Sequence, residues 1–120
     1  MIKQVLRDLN LDPKKLPPGS LVGKISRLKD QLMGVDDLAT QAQNPYEKTL
    51  AKIYTAYQKL LEVNLACDFG DLIFRCVRLF ETHPAILSGY QKLWQQILID
   101  EYQDTNHAQY RWAGLLAAGH

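Results

Sequence analysis

Apolar side chains return every three or four positions through most of the first 95 residues, the period of helices that bury one face. Ile2, Val5, Leu6 and Leu9 form the first stripe, and the helix it predicts should stop near Asn10, because Asp12-Pro13 opens a turn. After the connector KKLPPGS, Ser20 is placed to cap a second helix with the stripe Leu21, Ile25, Leu28 and Leu32, and Gly34 is expected to end it. A short helix is expected over 36–41. The strongest signal lies in NPYEKTLAKIYTAYQKLLE: Asn44 suits an N-cap, Pro45 the first helical position, and Glu47 can reach back to a free amide. Tyr46, Leu50, Ile53, Tyr57, Leu60 and Leu61 then share one face. Tyrosines interleaved with leucines at this spacing read as core, with stacking on nucleic-acid bases as the alternative use.

The stretch CDFGDLIFRCVRLFETHP predicts a long helix from Asp68, with Asp71 near its positive end and Phe69, Leu72, Ile73, Cys76, Val77 and Phe80 facing inward. His83-Pro84 closes it, and Pro84 opens a shorter helix carrying Ile86, Leu87, Tyr90 and Leu93. The pattern changes at QILIDEYQDTN. ILID is short, continuous and apolar, as in a strand buried on both faces, and a helix follows from about Asn106 through Trp112, Leu115 and Leu116. A strand, a carboxylate turn and a helix make half of a parallel α/β unit. One strand cannot make a sheet, since its amides and carbonyls need neighbours. The expected architecture is therefore mainly α: a helical bundle over 1–95, then one orphan strand and a C-terminal helix over 96–120, with the strand's neighbours supplied from elsewhere.

Composition adds limits. With 120 residues and 47% hydrophobic content, the chain is one domain's worth with a modest core. A net charge of +1 argues against a wholly basic nucleic-acid binder. Yet residues 1–29 carry seven basic and two acidic side chains, a net +5 that leaves −4 for the rest. Lys14, Lys15, Lys24, Arg27 and Lys29 are candidates to face phosphate; a solvated helical surface is the plainer account. Cys67 and Cys76 form no zinc or disulfide pattern, which fits a reduced, cytoplasmic protein. No apolar run nears the roughly 20 residues of a membrane span, no signal peptide is apparent, and no membrane partner is expected. His83, His107 and His120 are scattered and receive no ligand role.

Asp100 and Glu101 carry the chemistry. Nucleotide hydrolysis needs a divalent ion to neutralise the β- and γ-phosphates and a base to activate water, and an apolar strand ending in two acids can supply a Mg²⁺ ligand, Asp100, and the base, Glu101. Two acids after an apolar run also arise by chance at a strand end, and Asp100, Glu101 and Asp104 together could instead hold a hard cation without nucleotide.

The full string DEYQDTN is more specific, adding Gln103, Asp104, Thr105 and Asn106 in fixed order. It resembles motif II of the UvrD/Rep/PcrA group of superfamily 1 DNA helicases, which typically reads DE[FY]QDTN. LDPKKLPPGSLVGKISRLKDQL, the stretch from YEKTLAKIYTAYQKLLE through ILIDEYQDTN, and AQYRWAGLLAAG resemble the helical 1B insertion of those helicases and its return into the first RecA-like domain. DFGDLIFR resembles a second family stretch, commonly DFDDLL, with Gly70 replacing an acid. The resemblance implies Asp100 as Mg²⁺ ligand, Glu101 as general base, and Gln103 and Asp104 as links between nucleotide and DNA sites. It further implies ATP and Mg²⁺ as cofactors of a longer parent that moves 3′ to 5′ on single-stranded DNA and unwinds duplex in repair or replication, with 1B close to the DNA. No GxxxxGK[ST] occurs here, so the piece alone is expected to hydrolyse no ATP. Residues 97–99, without sheet neighbours, are expected to pack on the helices, fray, or pair with a second copy. The alternative is a free-standing helical module that binds DNA or protein without nucleotide chemistry.

Overall fold

The computed structural model describes residues 1–118, in which seven α-helices and one 3₁₀ turn follow one another without a strand. They are α1 (Ile2–Asp8), α2 (Pro18–Asp30), α3 (Val35–Gln41), α4 (Pro45–Val63), α5 (Phe69–Thr82), α6 (Pro84–Leu93), the turn Tyr102–Asp104, and α7 (His107–Ala117).

Local chemistry sets most of the starts. Asn44 accepts the Glu47 amide at 2.8 Å, with Pro45 in the first turn of α4. Glu47 reaches back past the cap and takes the amide of Gln43 at 2.8 Å. Asp68 and Asp71 form a reciprocal capping box on α5, at 2.9 and 3.1 Å, and Asn106 and Gln109 do the same for α7. The start of α2 differs from expectation: Pro18, favoured at a first helical position, opens it, and Ser20 lies inside the first turn rather than capping it.

The ends of α1, α2 and α4 share one device. Asn10, Leu32 and Leu65 adopt left-handed backbone with φ of 56°, 59° and 52°. The residue after each then bonds back across the last turn: Leu11 to Leu6, Met33 to Leu28 and Ala66 to Leu61, at 2.8–2.9 Å. Leu32, and not Gly34, therefore ends α2, while Gly34 stands at the start of α3.

Packing divides the chain. Ile2, Val5, Leu6, Leu21, Ile25, Leu38, Leu50, Ala51, Ile53, Tyr54, Tyr57 and Leu61 form one buried cluster drawn wholly from α1–α4, and the half-buried side chains against it extend no further than Ala66. Beyond Ala66, burial is sparse: Val77 and Phe80 on α5, Ala108 and Leu116 on α7. The inward face expected of α5 is only partly covered. Ile73 is half-buried, whereas Phe69 is 89% exposed and Leu72 and Cys76 also face outward. α6 buries none of its apolar residues.

The expected strand at 97–99 does not form. Residues 96–99 have no regular structure and enter no ladder, because no second strand among the described residues can take their amides and carbonyls. Leu98 is 88% exposed as a result.

Candidate nucleotide-site carboxylates and nearby charges

The acidic turn is held by its own short-range bonds. The Glu101 amide donates to Asp100 Oδ1 at 2.8 Å, and Glu101 takes left-handed backbone, φ 51° and ψ 42°. For a residue with a Cβ that conformation costs about 1 kcal/mol. It turns the chain sharply, so that the Asp104 amide closes onto the Glu101 carbonyl at 2.9 Å and the 3₁₀ turn leads directly to the Asn106 cap of α7. Gln103 Nε2 donates to Glu101 Oε2 at 2.7 Å. Asp100, Glu101, Gln103 and Asp104 are all exposed.

Beneath the turn lies an open cavity of about 340 Å³, lined by the acids and by Ile73, Thr105, Gln109 and Trp112 among others. Asp100 brings a hard oxygen donor to its mouth, the type Mg²⁺ takes, and one carboxylate leaves most of the coordination shell to water and phosphate. Among the described residues, no group of three or more Asp, Glu, His or Cys is arranged to hold a metal, the set Asp100, Glu101 and Asp104 included.

Of the basic candidates, Lys14 and Lys15 are exposed on the turn between α1 and α2, and Arg27 is exposed on α2. Lys24 is half-buried against Tyr46, its ammonium bonded to the phenol and 4.4 Å from the ring centroid. Tyr46 accordingly lies outside the buried face of α4 on which the sequence placed it.

Lys29 requires correction. Its side chain is 1% exposed, and its ammonium lies 2.6 Å from Asp68 Oδ2 and 3.0 Å from Asp71 Oδ1, turned away from any phosphate outside. The Tyr57 hydroxyl donates to Asp68 Oδ2 at 2.9 Å, and Gln58 Nε2 to Asp71 Oδ1 at 3.2 Å. Burial pushes the Asp68 carboxyl up, but the bond from Lys29, the Asp71 amide, the Lys29 charge and the Tyr57 hydroxyl together outweigh it and hold the group below its ordinary value. For Tyr57, burial first, then its bond to Asp68 and the two carboxylate charges, push the phenol well above its usual range. The sequence held a signal for this cluster: Lys29 follows Leu21 and Ile25 at spacings of four, which places it on the apolar face of α2.

All of residues 1–120 match the model of the UvrD/REP helicase N-terminal domain. The chain belongs to the UvrD/REP helicase family. It is 41% identical over 117 residues to the ATP-dependent DNA helicase PcrA of Leuconostoc citreum and 42% identical over 117 residues to that of Bacillus subtilis. To PcrA of Staphylococcus aureus it is 43% identical over 118 residues. In each case 98% of this chain is covered and 16% of the relative, so the chain spans about one sixth of the length of these curated relatives. No helix among the described residues is long and apolar enough to cross a membrane. Cys67 and Cys76 are exposed free thiols; His120 lies outside the described residues.

Proposed function

We propose that this chain is the part of an ATP-dependent DNA helicase that carries the Mg²⁺ ligand and the general base, and that the rest of the ATP site comes from segments beyond it. The observation that carries the reading is the acidic turn: Asp100 and Glu101 adjacent and exposed over a cavity, with the Glu101 carboxylate bonded by Gln103, in a chain of this family. Asp100 would hold Mg²⁺, which would supply charge neutralisation for the phosphates of a bound nucleotide. Glu101 accepts the proton of the attacking water, and Gln103 holds the Glu101 carboxylate in one orientation. Residues 96–99 act as a strand of a RecA-like sheet once their neighbours are present, and α7 packs beside it. The whole protein converts hydrolysis into 3′-to-5′ movement on single-stranded DNA and duplex unwinding, in repair or replication. Lys14, Lys15, Lys24 and Arg27 contact backbone phosphate, independently of sequence and with strong salt dependence.

Two arms of one experiment test this. In the full-length protein carrying this segment, single-stranded DNA should stimulate ATP turnover, and Glu101→Gln should abolish turnover while nucleotide still binds. The 120-residue chain alone should show neither turnover nor tight ATP–Mg²⁺ binding. Turnover by the chain alone, lost in Glu101→Gln, would overthrow the reading.

A further inference from the structure

The two parts of the chain are buried by different means. The α1–α4 body closes a core of its own, with no residue after Leu61 in the buried cluster. α5 is tied to that body through a concentrated set of polar links. Lys29 on α2 bridges Asp68 and Asp71 at the start of α5, Tyr57 and Gln58 on α4 bond the same two carboxylates, and Arg78 reaches the Leu32 carbonyl at 3.1 Å. The centre of this set is dry: Lys29 and Asp71 are each 1% exposed. The backbone is shaped to it as well. A Cβ built at Gly70 would lie 3.1 Å from Lys29 Cδ and 3.3 Å from Lys29 Cβ, so glycine lets α5 sit directly on the lysine stem. Two residues past Asp71, Ile73 lines the cavity under Asp100 and Glu101.

We propose that Lys29 is a latch that seats α5 on the α1–α4 body and, together with the packing of α2 on α7, holds the acidic turn, so that residues 68–118 dock and release as one unit while the body stays folded. A buried ion triad suits such a device. With the cation in place both carboxylates are bonded to it, and the cluster carries one negative charge instead of two. With it gone, two like charges face each other and Asp71, the one shut off from water, is left without a counter-ion, so separation of the parts is favoured because it hydrates that carboxylate. The body loses little when that happens, because its apolar cluster is complete without α5. The inference is independent of nucleotide binding and stands on the packing alone.

Amide hydrogen exchange on the full 120-residue chain tests it. Lys29→Met keeps the length and packing of the stem and removes the charge. Protection in α5 and α7 should fall about 100-fold, somewhat less than the loss of one partner of a fully buried pair because Asp68 is partly exposed, while the central amides of α4 change by less than about threefold. The double variant Lys29→Met/Asp71→Asn no longer buries an uncompensated charge at position 71, and it should regain most of the lost protection. A loss spread evenly over α4, α5 and α7 would reduce the latch to generic stability and overturn the proposal. So would unchanged protection in Lys29→Met, or a double variant no better protected than the single one.

Discussion

Gln103 donates its side-chain amide to the Glu101 carboxylate at 2.7 Å, across a turn in which Glu101 itself is left-handed. The bond fixes the orientation of the group proposed as general base. In the full-length protein, Glu101→Gln is expected to lower kcat for ATP by about 100-fold or more, as loss of a positioned base does. Gln103→Ala should lower kcat by about tenfold and leave KM nearly unchanged, since a misplaced base slows chemistry without weakening binding. Steady-state ATPase kinetics with saturating single-stranded DNA separate the two constants; wild-type kcat in Gln103→Ala would show the bond to be idle.

Gly70→Ala sets helix propensity against contact. Alanine gains up to about 1 kcal/mol over glycine inside a helix, less in a first turn. The new Cβ, however, would press on a Lys29 stem held between two carboxylates and unable to move aside. Overpacking of this kind costs about 1–3 kcal/mol, so net destabilisation by roughly 1 kcal/mol is expected in urea titrations. A more stable variant would mean that Lys29 yields.

Stability should fall at both ends of the pH scale, for opposite reasons. Asp68 titrates below its ordinary 3.8 in the folded chain, so its contribution is complete above that value and is lost as the pH falls through the depressed one. Tyr54 and Tyr57 titrate above their ordinary 10.0, chiefly through burial, so their contribution is complete below pH 10.0 and is lost as the pH rises further. Urea midpoints at about pH 3, 7 and 11 check both limbs, and Tyr57→Phe should weaken the alkaline one.

Asn44→Ala removes the side chain that accepts the Glu47 amide in the first turn of α4. A cost of about 1 kcal/mol is expected in the same titrations, while Asn44→Asp should be close to neutral.

The unpaired stretch at 96–99, with Leu98 almost fully exposed, should associate with a second copy when the chain is concentrated. Light scattering over a hundredfold range of concentration reads this directly, and Leu98→Lys should keep the chain monomeric. Identical masses for both proteins at every concentration would exclude this route.

Helices were legible in the sequence wherever the apolar period ran together with a capping residue, as at Asn44, Asp68 and Asn106. Ends were harder. Leu32 closes α2 because the Met33 amide reaches the Leu28 carbonyl, a backbone event that no residue type announces, and Gly34 drew attention as the usual terminator. The strand at 97–99 was read from composition alone, but a strand exists only through its neighbours. The acidic turn was legible because Asp100 to Asn106 interact within a few positions of one another. Lys29 was misread as a surface charge, because its partner Asp68 stands 39 positions away and only folding brings them together.

Trp112 lies in the wall of the cavity beneath Asp100, and Trp94 on the segment after α6 is the other tryptophan of the chain. Replacing Trp94 with phenylalanine would leave a single indole beside the acids in this chain, a native fluorophore whose emission reports rearrangement of the cavity wall without any attached dye.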